Sequence, residues 1–208
     1  MRGWMYWPVL GLSLILADSG HAQPQTPAQT LAAICAKVPC RKGGRPVVLR
    51  MPDNRGFESK TQPYPYLDDH GTVILYPGET ITIGFNKNGD SLGAPVLLKV
   101  TDPDGAVDIG AAGTAAASLS FTLKQDDGKP SMMLTAANGV PATLKYNLQM
   151  FVPTPDGVRS GHSSTCPLMA PPGSVASFGG FESWPHPILM LAISDIRMLP
   201  AGSGMVCN

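Results

Sequence analysis

The sequence predicts an all-β protein, an immunoglobulin-like two-sheet antiparallel β-sandwich with a short N-terminal helix. Three observations carry this prediction. The 208 residues include 23 Gly and 21 Pro. Only 14% of them are charged, a balance typical of extracytoplasmic β domains. About seven short runs resemble strands, and Asp-Gly, Asn-Gly or Pro-Gly turns separate them. A closed barrel is the structural alternative.

The clearest pair of strands lies between residues 72 and 85, where two β-rich runs flank the turn Pro77-Gly78-Glu79. The second run alternates apolar with polar or small residues, which predicts one face in the core and one in water. Its apolar positions are Ile81, Ile83 and Phe85. Further strands are predicted at 47–49, 96–101, 118–124, 132–136, 143–152 and 188–198.

Residues 1–22 have the form of a signal peptide. Arg2 precedes an apolar run at 9–17, and Gly20 and Ala22 are the small residues that a signal peptidase requires. We therefore expect cleavage after Ala22 and an exported protein, periplasmic or extracellular. An uncleaved anchor is the alternative, but the apolar run is too short to cross a bilayer. No later run is long enough either, so no transmembrane segment is expected in the mature chain.

Four cysteines in an exported chain indicate two disulfides, for which three pairings exist. We favour Cys35 with Cys40, which are close in sequence, and Cys166 with Cys207. A metal or redox pair at Cys35 and Cys40 is the alternative. Their spacing is not that of a redox Cys-x-x-Cys motif, and no nearby His or second Cys pair completes a zinc site.

The chain after the signal peptide divides into an extension at 23–46 and a β domain at 47–208. The extension is predicted to hold a helix that starts near Pro27 and ends before Pro39. The following basic stretch, 41–45, is expected to form a solvated turn. The apolar stripe of the helix consists of Leu31, Ile34, Cys35 and Val38.

Charge and motifs exclude several classes of function. Lys+Arg and Asp+Glu balance at 15 each and no basic cluster occurs, so no nucleic-acid partner is predicted. No glycine loop has the pattern that cradles phosphate, and no cofactor is predicted. The triplet Asp102, Asp104 and Asp108 lacks the remaining ligands of a calcium loop and is explained by a turn.

Two chemical alternatives remain open. An exported hydrolase would combine residues from distant loops, for instance His186 with Asp68 or Asp69, because His162 beside Ser163 does not form a nucleophile elbow. A metal or small-ligand carrier would use His162 and His186 with an exposed Met. Neither alternative has a complete motif, so no catalytic or metal-binding residue is assigned.

The segment 158–187 departs from the strand pattern and is predicted to be a long loop. Loops of this length in compact domains are uncommon and tend to be functional. Its aromatic residues and one histidine form the candidate binding site: Phe178, Phe181, Trp184 and His186. The alternative is that the rings fold back as a lid over the end of the sandwich. The sequence thus favours a non-catalytic exported protein that binds another protein, or a cell-envelope component, through this segment.

Overall fold

The computed structural model describes residues 27–88, 91–109, 113–173 and 177–207, so the predicted signal peptide and its cleavage site lie outside the described residues. The helix α1 spans Pro27–Cys35. The strands are β1 (Pro46–Arg50), β2 (Gly56–Lys60), β3 (Val73–Leu75), β4 (Thr80–Phe85), β5 (Lys87–Asn88), β6 (Ser91–Leu92), β7 (Val96–Asp102), β8 (Gly105–Val107), β9 (Ala117–Gln125), β10 (Met132–Asn138), β11 (Leu144–Thr154), β12 (Gly157–Ser163), β13 (Phe178–Trp184) and β14 (Met190–Met198).

Most strands belong to two antiparallel sheets. One sheet has six strands in the order β13-β10-β9-β4-β7-β8, and the other has four in the order β12-β11-β14-β3. Two small hairpins, β1-β2 and β5-β6, complete the described fold. The prediction of an all-β chain with antiparallel sheets is therefore confirmed.

The core lies where alternate residues of the two sheets face each other. Ile81 and Phe121 from the six-stranded sheet and Tyr146 and Leu191 from the four-stranded sheet are all buried in one apolar cluster. The rings of Phe121 and Tyr146 pack edge to face, with their centroids 5.6 Å apart. The alternation predicted for β4 holds, since Ile81, Ile83 and Phe85 are all buried.

Burial of Tyr146 makes stability depend on pH in the alkaline range. Desolvation raises the pKa of its phenol above the ordinary 10.0, so above about pH 10 the unfolded chain loses this proton and the folded chain keeps it. The contribution is fully present below pH 10, and the free energy of unfolding should fall as the pH rises further. Denaturant titrations between about pH 7 and pH 11 should show a smaller fall for Tyr146→Phe than for the wild type.

Other buried titratable groups also contribute to the pH dependence of the free energy of unfolding, so Tyr146→Phe should remove only part of it. Burial also raises the pKa of Tyr66 and of Tyr76, so some of the alkaline fall should persist in the variant. Desolvation lowers the pKa of Lys145, which makes the free energy of unfolding rise with pH below 10.5 and so acts in the opposite sense. Equal falls in wild type and Tyr146→Phe would contradict the role given to Tyr146.

The segment 158–187 is not a long loop, and that prediction was wrong. It contains most of β12, which pairs with β11, and all of β13, which pairs with β10 over seven consecutive residue pairs. The pattern was hidden because six of the seven residues of β12 are exposed, so no apolar alternation is needed. In β13 the pair Gly179-Gly180 interrupts the alternation.

The basic stretch at 41–45 is not a solvated turn either. Arg41 is 5% exposed and Glu79, in the turn between β3 and β4, is 1% exposed. The Arg41 guanidinium donates to both carboxylate oxygens of Glu79, from Nε at 2.8 Å and from Nη2 at 2.6 Å. It also stacks 4.3 Å above the centroid of the Tyr66 ring. This buried ion pair fixes the N-terminal extension to the corner between the two sheets.

Every remaining polar group of this pair has a partner. Arg41 Nη1 donates to the carbonyl of Pro65 at 3.0 Å, and Nη2 donates to that of Ile74. Glu79 Oε2 accepts the amide N–H of Tyr76 at 2.8 Å, and Arg45 Nη2 lies 3.4 Å from Oε1. A buried charge pair needs this degree of satisfaction to offset its desolvation.

Both predicted disulfides are present, Cys35–Cys40 and Cys166–Cys207. They indicate an oxidising environment. Lys145 reinforces the second bridge, since its Nζ donates to the carbonyl of Thr165 and, at 3.3 Å, to that of Val206. Within the described ranges, no helix has the length and apolar character needed to cross a membrane.

Candidate functional site

The four residues of the predicted site do not form one cluster. Phe178 and Phe181 are 42% and 73% exposed, whereas Trp184 is 9% exposed. Successive side chains of a strand point to opposite faces, so Phe178 and Phe181 lie on opposite faces of β13. Phe181 is paired with exposed Thr135 on the outer face, and Phe178 with buried Asn138 on the inner side. Trp184 is therefore buried as part of a paired strand and not as a loop folded back over the sandwich, and Phe181 is exposed.

Trp184 and His186 are positioned as structural residues. The Trp184 indole Nε1 donates to Ser163 Oγ at 3.1 Å, which ties the end of β13 to the end of β12. His186 is half-buried, and its Nδ1 lies 3.3 Å from the carbonyl oxygen of Pro187. Neither side chain is available as an exposed aromatic anchor.

The exposed aromatic residues belong instead to an apolar surface along β13. We define the β13 patch as the four residues Met169, Phe178, Phe181 and Met205. The two methionines are 43% and 57% exposed, and all four residues line a groove of about 200 Å³. The β13 patch thus replaces the aromatic loop as the candidate binding site.

Hydrogen bonds and a disulfide hold the segments that line the groove in place. Glu182 Oε1 accepts the amide N–H of Cys166 at 2.7 Å, and the Cys166–Cys207 bridge fixes the segment that carries Met205. Asn138 Nδ2 donates to the carbonyl of Met169 at 2.9 Å. Because ordered contacts fix both sides of the groove, binding there requires little ordering of the protein.

Gly180 is one of the residues that line the groove. A Cβ at this position would lie only 2.7 Å from Cδ2 of Leu168, which packs against the glycine from the inner side. The absence of a side chain therefore lets the segment before β13 approach the strand closely.

Sequence reasoning missed Met169 and Met205. Both lie within three residues of a cysteine in the predicted pair Cys166 and Cys207. That pairing already predicted that these two segments meet. What the sequence did not show is that β13 lies next to them.

The geometry gives no support to the hydrolase alternative. Asp68 Oδ1 accepts the amide N–H groups of His70 and Thr72, as in a turn that leads into a strand. His70 lies 3.6 Å from Asp69, but both side chains are largely exposed. None of the ion pairs among the described residues includes His186.

The metal alternatives lack a ligand cluster. Asp102 Oδ1 accepts the amide N–H of Asp104 at 2.9 Å, so this acidic segment forms the predicted turn. Over the part of the chain that the structure describes, no group of three or more His, Cys, Asp or Glu side chains is close enough to hold a metal ion.

Fold and site together define an all-β, disulfide-bonded domain of sandwich-like form with an exposed apolar patch on an edge strand. No protein-family model, curated protein or solved structure shows significant similarity to the chain.

Proposed function

We propose that this chain is an exported, non-catalytic β-sandwich protein of immunoglobulin-like type that binds a partner protein, or acts in a cell-envelope assembly, through the β13 patch. The observation that carries the proposal is that four partly exposed apolar residues line one groove at an edge strand, with Phe178 and Phe181 on opposite faces of that strand. Contiguous exposed apolar surface on a soluble domain marks interaction sites, whereas single exposed residues need no explanation.

The composition of the β13 patch suits a protein partner. Aromatic residues and Met are enriched in the cores of protein interfaces, where charged residues are depleted. The one charged residue of β13, Glu182, accepts a hydrogen bond from the Cys166 amide N–H. Export is supported by the signal-peptide pattern and by the two disulfides, which fit a periplasmic or extracellular environment.

Site-specific photo-crosslinking in the exporting cell tests the proposal. With p-benzoylphenylalanine in place of Met169, we expect covalent adducts with a defined partner. The same probe in place of Val48 is the matched control, because Val48 is an isolated exposed apolar residue on β1. Adducts that are equally abundant and diverse at both positions would refute the β13 patch as a binding site.

Phe181→Ser should weaken this binding while leaving the fold intact. Phe181 is 73% exposed, so its loss should change the free energy of unfolding by less than about 0.5 kcal/mol. Loss of an aromatic anchor typically costs 1–2 kcal/mol or more of binding, so the yield of the Met169 adduct should fall about tenfold. Val48→Ser is the control and should leave the yield unchanged. Full adduct yield from a folded Phe181→Ser variant would contradict the proposal.

A further inference from the structure

We propose that the partner binds by adding a β-strand to the free edge of β13, which extends the six-stranded sheet to seven strands. This inference rests on the proposed function and specifies its geometry. Strand addition draws affinity from backbone hydrogen bonds and specificity from the pockets that receive alternate side chains. The described chain offers both features at β13.

The other outer strands of the two main sheets are protected against strand addition. β8 and β3 have only three residues each. β3 is also covered, since the amide N–H of Ile74 donates to the carbonyl of Tyr66 at 3.0 Å. β12 is longer but carries Arg159, and short, covered or charged edges are the ways in which proteins prevent edge-to-edge pairing.

β13 has seven residues, and its one charged side chain, Glu182, accepts a hydrogen bond from the Cys166 amide. It pairs with β10 through seven residues without a register shift, so no bulge disrupts its edge. Its sequence, Phe-Gly-Gly-Phe-Glu-Ser-Trp, contains no Lys, Arg or Pro. β10 is its one strand partner in the described chain, and no turn or loop backbone among those residues bonds to 178–184. Half of its backbone groups therefore face an open edge.

The groove beside this edge indicates which strand would fit. Met169, Phe178 and Met205 form apolar walls, and Glu182, the charged residue nearby, is engaged by the Cys166 amide. Gly179 and Gly180 present no side chains that would hold an incoming backbone away. We infer an extended, uncharged segment of another protein that places one large apolar side chain in the groove.

Proline substitution tests the backbone part of this inference. In an antiparallel pair, neighbouring amides point alternately toward and away from the partner strand, so only one of Gly179 and Gly180 directs its N–H to the open edge. A Cβ at position 180 would lie 2.7 Å from Cδ2 of Leu168, so each proline variant is compared with the alanine variant at the same position. Of Gly179→Pro and Gly180→Pro, the variant that is no less stable than its alanine counterpart identifies that residue. In this variant the Met169 adduct should fall at least about tenfold, because a backbone donor is lost and the ring blocks the incoming strand.

The alanine variant at the same position is the matched control. At Gly179 a Cβ would come no closer than 3.9 Å to an atom outside the two neighbouring residues, so with Gly179→Ala the adduct should persist. Hydrogen exchange on the purified adduct gives a second measurement that needs no proline variant. Amides of β13 should become protected at every second residue, relative to the free protein.

The outcomes separate this inference from the proposed function. A full adduct yield in the folded proline variant, or unchanged exchange in β13, would overturn strand addition and leave partner binding intact. Adducts no more abundant at Met169 than at Val48 would overturn the proposed function itself. An adduct with twice the mass of the chain would identify a second copy as the occupant and overturn the inference of a different partner protein.

Discussion

Glu79→Gln should lower the free energy of unfolding by about 3–5 kcal/mol, a large effect for a single substitution. The change removes the charge that faces Arg41 but leaves the guanidinium buried at 5% exposure. A buried cation without a counter-charge is far more costly than the ion pair is stabilising. Urea denaturation at neutral pH would measure the change, and a loss below about 1 kcal/mol would contradict this account.

Two variants separate the ion pair from a general effect of carboxylate loss. Glu58→Gln removes an exposed carboxylate from β2 and should change the free energy of unfolding by less than about 0.5 kcal/mol. Arg41→Met combined with Glu79→Gln removes both charges, so much of the loss should be recovered. A double variant as unstable as Glu79→Gln alone would show that the shape of the Arg41 side chain, including its stacking on Tyr66, matters more than its charge.

Removing the second disulfide, by Cys166→Ser with Cys207→Ser, should cost about 4 kcal/mol on the chain-entropy model. The bridge joins residues 41 positions apart, and its absence frees a long loop in the unfolded chain. The fold should also loosen locally, because the segment that carries Met205 is then no longer tied to Cys166, although Lys145 still donates to the carbonyl of Val206. The Met169 adduct yield should therefore fall as well.

Removing the other disulfide, Cys35–Cys40, tests whether the loss of stability depends on loop length. Cys35→Ser with Cys40→Ser opens a bridge with a sequence separation of only 5, for which the same model gives about 2 kcal/mol. This variant should keep its full adduct yield, because the bridge lies in the N-terminal extension, none of whose described residues lines the groove. If the short bridge proves the more stabilising one, loop entropy is not the main source of disulfide stability in this protein.

The sequence was a good guide wherever one face of a strand is buried. The strands β4, β9 and β10 alternate apolar and polar residues, and all three were predicted within a few residues of their bounds. The disulfide pairing was also predictable. Two close cysteines and two distant ones left few pairings, and the structure confirms the favoured one.

Prediction failed where a residue's environment is set by distant contacts. Nothing in the local sequence shows that Arg41 meets Glu79, because 38 positions separate them and basic residues beside glycines usually lie in water. The candidate site stays a prediction, but the local sequence did not show that Phe178 and Phe181 share a groove with Met169 and Met205. The pair Gly179-Gly180 near the start of β13 interrupts the apolar alternation, so the sequence does not show that Phe178 and Phe181 lie on opposite faces of the strand.

The way in which the chain changes sheets determines how fast it can fold. β3 pairs with β14, so the Leu75–Leu191 contact joins residues separated by more than half of the chain, while β4 belongs to the other sheet. The four-stranded sheet cannot close until these distant segments meet, and the loop entropy must be lost before their contacts form. Proteins dominated by such non-local pairing refold in milliseconds to seconds, orders of magnitude more slowly than helical domains. During that time the edge of β14 is open to other chains, so this protein should be most prone to aggregation while it folds.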